Sequence, residues 1–342
     1  MIEFFARKTL QALPAEMAHD LAIKALGGPL SAFTRAKQIQ HPVELMGIRF
    51  PNPVGLAAGF DKNGDALHGL SKQGFGFLEI GTITPKPQAG NDKPRLFRLA
   101  ADEAIINRMG FNNKGIDHLV QRVKHSGYQG VLGINIGKNK TTPNERAVDD
   151  YVHCFAKAHT LCDYITVNIS SPNTPDLREL QNDQAFVDLL SGIKAKQLAC
   201  AEIDQKYTPV VVKISPDQNH EQLQFMVQQI KDIGFDGIIC TNTTIDRPNT
   251  LHSDAELIQQ AGGLSGKPLL EKSNQTLKWV RQCAGKNFPI FAVGGIIDKE
   301  DARQKFELGA DLIQVYTGFV LKGNHLIKQI NQQLTSENKT RP

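Results

Sequence analysis

The stretch Asn168-Ile169-Ser170-Ser171-Pro172-Asn173-Thr174-Pro175 places three hydroxyls and two side-chain amides within seven residues. A hydroxyl both donates and accepts, and an amide offers a donor beside an acceptor, so such a segment can hold a polar ring or handle a proton. Taken alone it is a strand running into a Ser/Pro/Asn turn. The chain carries comparable residues at seven further places. They are Ala58-Gly59-Phe60-Asp61-Lys62-Asn63-Gly64, Gly81-Thr82, Asn135, Lys213, Thr241-Asn242-Thr243-Thr244, Gly294-Gly295 and Tyr316-Thr317.

Each of the eight sits in or just after a short β-branched run. The runs cover 54–58, 77–82, 131–136, 164–169, 209–214, 237–242, 289–293 and 311–316, and helical patterns such as 221–233 and 298–308 fill most gaps. Strands alternating with helices form βαβ units on a parallel sheet, and eight repeats predict an α/β fold of the closed (β/α)8 TIM-barrel type. Residues 43–50 read as a small hairpin closing the barrel bottom. The gap from 82 to 131 is too long for a simple βα loop and predicts a functional excursion. In such a barrel the chemistry lies where the strands end, so the polar residues converge on one face.

Lys62 and Lys213 weigh most among them. Lysine is rarely fully buried, so a lysine inside a barrel strand implies an anionic partner. Gly262-Gly263-Leu264-Ser265-Gly266 and Gly294-Gly295, with Tyr316-Thr317, can offer backbone N–H groups to a phosphate near the last two strands. A phosphorylated cofactor is therefore expected. No GxGxxG follows the first strand, so a dinucleotide site of the Rossmann kind is unsupported.

The bulk composition narrows the function classes. Of 342 residues, 40% are apolar and 22% charged, with a net charge of +4 and no basic stripe interleaved with aromatics. Nucleic-acid binding is not expected. The five cysteines (Cys154, Cys162, Cys200, Cys240, Cys283) form no CxxC pair, so neither a metal centre nor a disulfide framework is expected. No apolar run is long enough to span a bilayer, and no signal-peptide core is present. Residues 2–13 and 15–26 read as two short helices parted near Pro14. Their apolar faces, with Arg7, Lys8 and Lys24, suit packing on the barrel or lying in a membrane interface.

Residues 58–62, Asn107-Arg108-Met109-Gly110-Phe111-Asn112, 168–180, 241–243 and 262–266 resemble, in order and spacing, the motifs of the dihydroorotate dehydrogenases. The likeness covers the whole chain, and NRMGFNN with NISSPNTPDLREL is highly specific. It implies FMN in the barrel mouth, held by Ala58, Gly59, Phe60, Asp61, Lys62, Thr82, Asn135, Asn168, Lys213, Thr241, Gly266, Gly295, Tyr316 and Thr317. It implies dihydroorotate, leaving as orotate, against Lys62, Asn107, Arg108, Met109, Gly110, Phe111, Asn168, Asn173, Asn242 and Thr243. A proton leaves C5 for Ser171 as base, with Thr174 and Phe111 in the onward relay, while a hydride leaves C6 for the flavin.

Within that family a soluble class carries cysteine at the base position and lacks the helical extension. Ser171 and the extension are similar instead to the membrane-associated class, which reoxidises FMN with a quinone. That implies a segment 1–40 forming a quinone tunnel lined by His19 and Arg98, and a barrel domain over 41–336. It also implies pyrimidine biosynthesis, peripheral lipid contact on the cytoplasmic face of the inner membrane, and no obligate protein partner. The rival enzyme is a soluble-type FMN barrel with another acceptor or a related cyclic substrate. The non-enzymatic rival is a membrane-tethered barrel that only binds a phosphorylated ligand; it has no use for two interior lysines or a hydroxyl in an asparagine-rich loop.

Overall fold

Eight parallel strands close on themselves in the order β3 (Val54–Leu56), β4 (Phe77–Ile83), β7 (Val131–Ile136), β8 (Tyr164–Asn168), β9 (Val210–Ile214), β10 (Gly237–Cys240), β12 (Ile290–Val293) and β13 (Leu312–Val315), with β13 returning to β3. This is the expected (β/α)8 barrel. The computed structural model describes residues 9–29, 31, 36–173, 177–178 and 183–340. Helices cover the outside, among them His220–Ile233 and Lys299–Glu307. Both are started by capping boxes, at Asn219 and Asp298, that satisfy the free N–H groups of the first turn.

Alternation along each strand sorts the side chains. Phe77, Tyr164, Val211, Ile239, Phe291 and Leu312 point inward and pack on one another at the bottom of the barrel, while Leu78, Ile165, Val212 and Ile313 point outward beneath the helices. Strands buried on both faces explain why the runs are almost continuously apolar. The expected hairpin is present as β1 (Val43–Leu45) and β2 (Ile48–Phe50). Its Phe50 is completely buried and meets Phe77 and Phe291 edge to face at 5.2 and 6.2 Å, closing the barrel floor.

The long gap after β4 holds β5 (Leu96–Leu99) and β6 (Ala104–Asn107). They form an antiparallel sheet with β11 (Gly263–Gly266), which follows β10. The register sets Asn107 opposite Gly263, so two distant loops share one roof over the barrel mouth.

At the N-terminus, residues 9–12 are helical and α1 (Ala15–Gly27) follows, with Pro14 at its N-cap as the sequence requires. The first helix expected over 2–13 otherwise lies outside the described residues. Glu16 in the first turn of α1 and Lys24 in the last suit the helix dipole. Ala18 is buried against the domain, while Met17 and Leu21 keep 52% and 44% of their surface exposed. Glu16 is held by Arg95 at 2.9 Å. Among the described residues, no helix is long and apolar enough to cross a membrane. The last helix, Asn324–Thr340, runs past residue 336, where the sequence reading ended the barrel domain.

Close approach of α1 depends on two glycines. A Cβ on Gly69 would overlap the Leu26 carbonyl, and one on Gly27 would overlap the Asp65 carbonyl. Overpacking of this kind costs about 1–3 kcal/mol. Gly69→Ala is therefore expected to loosen α1 while sparing the barrel. Limited proteolysis should cut before residue 30 several-fold faster with unchanged far-UV circular dichroism; an unaltered cleavage rate would contradict the docking geometry.

Candidate active site

The strand ends surround a cavity with about 1040 Å³ of empty space, part of it open to solvent. Its floor is organised by Glu79, a fully buried carboxylate in the middle of β4. One oxygen accepts from Asn135 Nδ2 at 2.8 Å; the other accepts from Tyr164 Oη at 3.0 Å and Gln314 Nε2 at 2.6 Å. A run of donors leads down to it. Asn242 Nδ2 donates to Asn168 Oδ1 at 3.3 Å, Asn168 Nδ2 to Thr82 Oγ1 at 2.9 Å, and Thr82 Oγ1 to Asn135 Oδ1 at 2.6 Å. Because a carboxylate only accepts, every amide in this series has a defined orientation. Residues from strands β4, β7 and β8 and from the chain just after β10 are locked together by it.

Two lysines reach the same space. Lys213 stands beside Asn168 in the β8–β9 register, is buried, and donates to no atom among the described residues. Burial pulls its pKa down, while the Glu79 charge opposes the shift. A buried ammonium with free N–H groups facing a cavity suits an anionic or carbonyl-rich ligand. Lys62 is partly buried, and burial lowers its pKa to about 8. Its Nζ lies 3.5 Å from His19 Nε2 on α1. Burial and the Lys62 charge bring His19 down to about 3, which makes it a neutral imidazole able to accept from Lys62.

Ser171 lies on the cavity wall and is only 6% exposed. Its Oγ accepts from the Asn173 backbone N–H at 3.3 Å, and its own hydrogen meets no acceptor among the described residues. The loop is stitched to the roof: Asn173 Nδ2 donates to Asn107 Oδ1 at 3.2 Å, and Asn91 Nδ2 to the Asn173 carbonyl at 3.1 Å. Arg178 fastens the far side by an ion pair to Asp217 at 2.9 Å and a bond to the Thr243 carbonyl at 3.3 Å. Phe111 projects into the cavity from a backbone at φ 53°. Its carbonyl is held by Asn113 at 2.7 Å and Gln88 at 3.2 Å, which offsets the strain of that conformation.

Beside the last strands, Gly266, Gly294 and Gly295 all have positive φ, and Ser265 Oγ meets Thr317 Oγ1 at 2.9 Å. The Gly295 N–H donates to no atom among the described residues. Backbone donors and hydroxyls at one end, with a free buried ammonium at Lys213, fit a phosphorylated ring cofactor.

Most expected residues line this cavity: Ala58, Gly59, Lys62, Thr82, Asn107, Met109, Gly110, Phe111, Asn168, Ser171, Asn173, Lys213, Thr241, Asn242, Thr243, Gly266, Gly295, Tyr316 and Thr317. Several do not. Asn135 lies beneath the floor as the link to Glu79. Asp61 spends its carboxylate on the backbone N–H groups of Asn63, Asp65 and Ala66. Phe60 packs between His19, Tyr316 and Phe319. Arg108 turns away to Gln260 and the Phe97 ring. Arg98 does not line the cavity; it donates to the carbonyls of Gln11 and Leu13. His19 touches Lys62 and Phe60 but does not line the cavity, and Thr174 lies outside the described residues. Glu79, Gln314, Ser265 and Leu269 escape the sequence reading, although a glutamate within the apolar run Phe77–Ile83 is a visible anomaly.

Known proteins are similar to this chain in sequence and fold. The family model for dihydroorotate dehydrogenase matches residues 41–337. The dihydroorotate dehydrogenase (quinone) of Aliivibrio salmonicida is 48% identical over 96% of this chain and 99% of its own length. That of Idiomarina loihiensis is 50% identical over 93% of this chain and 96% of its own. Crystal structures of DHODH from Eimeria tenella superpose with TM-scores of 0.87 (ferulenol complex) and 0.86 (ligand-free). Their sequence identities are 34% and 36%; the first covers 97% of this chain and the second 95%, with 95% of the Eimeria chain covered in each.

Lys62 yields a pH dependence. It holds an anion only when protonated, and in the free protein that form is lost as pH rises through about 8. The apparent affinity for an anionic ligand bound against it should be flat from pH 6 to 7.5 and fall up to tenfold per unit above 8. Titration of a carboxylate ligand across this range checks it; affinity that holds to pH 10 would remove Lys62 from the anion site.

Proposed function

Because this chain belongs to the dihydroorotate dehydrogenase family, we propose how its residues divide the labour of that reaction. The enzyme oxidises dihydroorotate to orotate in pyrimidine biosynthesis and delivers the electrons to a quinone. Its cofactor is a flavin. We take the flavin to be FMN, since the glycine turns and the Ser265–Thr317 pair provide for a single phosphate and no dinucleotide loop follows the first strand.

Lys62 pairs with the substrate carboxylate, and Asn107, Asn173 and Asn242 meet the alternating carbonyl and N–H groups of the ring. These amides arrive already oriented, so little reorganisation remains when the ring binds. When bound, the flavin supplies the hydride acceptor. Ser171 takes the C5 proton. A serine is a poor base, but the adjacent substrate carbonyl acidifies that proton, and the Asn173 N–H stabilises charge developing on Oγ. The serine's own hydrogen, free of any acceptor among the described residues, is passed on by Thr174 and a water beside Phe111. The single observation carrying this assignment is that buried, half-satisfied Ser171 hydroxyl on the wall of the cavity that Lys62 enters.

The segment 1–40 acts as the quinone module of the barrel 41–336. His19 stacks edge-on to Phe60 at 5.4 Å, and Phe60 to the cavity-lining Tyr316 at 6.1 Å, giving an aromatic route from α1 to the flavin site. Arg98 anchors the end of the preceding helix at the tunnel wall. Exposed Met17 and Leu21, with Lys24 one turn on, suit peripheral insertion into lipid, here the cytoplasmic face of the inner membrane.

Anaerobic mixing with dihydroorotate should bleach the flavin absorbance. Ser171→Ala should slow that bleaching about 10²–10⁴-fold while sparing orotate binding, the usual worth of a positioned base; an unchanged rate removes Ser171 from the mechanism. Replacing Met17 and Leu21 together by Ser should weaken sedimentation with vesicles and turnover of a long-chain quinone, yet leave bleaching by dihydroorotate intact. Full vesicle binding in that variant would move the membrane face elsewhere.

A further inference from the structure

Lys305 is completely buried in the helix Lys299–Glu307, away from the cavity, and no part of the chemistry above uses it. Its Nζ donates to Ser273 Oγ at 2.5 Å, its sole hydrogen bond among the described residues. Ser273 Oγ in turn lies 2.9 Å from the Gly294 carbonyl and 3.0 Å from that of Leu270. Gly294 and Gly295 line the cavity at φ 112° and 83°. A Cβ on Gly295 would overlap the Leu270 backbone, so this turn lies flat against the start of the helix that carries Ser273. The ammonium is thus one hydroxyl and one peptide away from the cavity wall.

Among the described residues, no carboxylate pairs with Lys305. Asp301, one turn earlier, is committed to Lys267 Nζ at 2.7 Å and to the N–H groups of Ile297 and Asp298. From the barrel wall it faces Cys240, whose thiol burial pushes up to about 12. Arg281, on the neighbouring helix, is engaged with Asp311 at 2.8 Å. The strands Ile290–Val293 and Leu312–Val315 behind it carry no ionisable side chain. A buried, unpaired ammonium is costly, and an apolar side chain of similar shape would pack more cheaply.

We infer that Lys305 is a positioning residue of the cofactor site: the remote counter-charge for the flavin phosphate, acting through Ser273 and the Gly294–Gly295 turn. The inference rests on the FMN reading. Without an anion in front of it, burial lowers Lys305 to about 7. A phosphate placed at the turn favours the charged form, so phosphate binding and proton uptake are linked. Below pH 7 the charge is already in place. Above it each bound phosphate must bring a proton with it, and preference for the phosphorylated ligand declines.

The test equilibrates holoenzyme with excess FMN and riboflavin together and measures the ratio retained. A general loosening of the fold affects both flavins, whereas the ratio isolates the phosphate. Lys62 is assigned to the substrate carboxylate, which neither flavin carries, and replacing Lys305 leaves Lys213 in place for both flavins. The wild type should retain FMN preferentially, less so with each step from pH 7 to 9, a range in which the phosphate is already largely the dianion. Lys305→Met should lower the ratio roughly tenfold at pH 7 and flatten the profile. An unchanged ratio in the variant overturns the inference, as does a wild-type ratio independent of pH, which needs no variant to fold. Retention of neither flavin overturns the FMN reading and this inference with it; retention of both with no effect of Lys305 overturns this inference alone.

Discussion

A carboxylate enclosed in the middle of a barrel is the constraint on which the site depends. Glu79 has no route to solvent, so its oxygens must be satisfied by the barrel itself, and Asn135, Tyr164 and Gln314 do so. Asn135, turned toward Glu79 by its amide nitrogen, presents its other end upward. Asn135 offers its carbonyl to Thr82, Thr82 its lone pairs to Asn168, and Asn168 its carbonyl to Asn242. One interior charge thereby fixes the direction of amides that would otherwise flip freely. The same charge supports the ammonium of Lys213, which would lose its proton more readily in an all-apolar interior.

Much of this was legible from residue types. The barrel followed from eight β-branched runs, and the α1 boundary from Pro14. Lys213 stood out because a lysine within Val210–Ile214 has no structural excuse. Glu79 is the same kind of anomaly in β4, yet a carboxylate there does not announce an anionic ligand, and its role emerges only once Tyr164 and Gln314 are seen around it. Residues assigned through motif membership divided by geometry. Asn107 and Arg108 are neighbours in sequence, but strand alternation sends one into the cavity and the other to Gln260 on the outside of the roof. Asp61 adjoins Lys62, but three unpaired N–H groups of the following turn claim its carboxylate. Which face a side chain takes, and which backbone groups compete for it, are properties of the assembled fold.

The loop bearing Ser171 illustrates how an irregular segment gains precision. Among the described residues its backbone makes no ladder hydrogen bonds, so its position is set by side chains: Asn107 and Asn91 from the roof, and its own Arg178 through Asp217 and the Thr243 carbonyl. Gly263 permits the closeness, because a Cβ there would overlap Thr243 Oγ1 and crowd Pro172. The Ser171 hydroxyl is thereby held at the cavity wall with one hydrogen bond, from the Asn173 N–H.

The N-terminal helix meets the barrel at a group that also faces the cavity. Lys62 is shared between the cavity and His19, and burial makes His19 a neutral acceptor rather than a competing cation. A carboxylate arriving at Lys62 favours its protonated form, the form that donates to His19. Glu16 and Arg95 hold α1 close enough for that contact to persist. An anion bound at Lys62 and the contact of α1 with the barrel are therefore coupled through one ammonium.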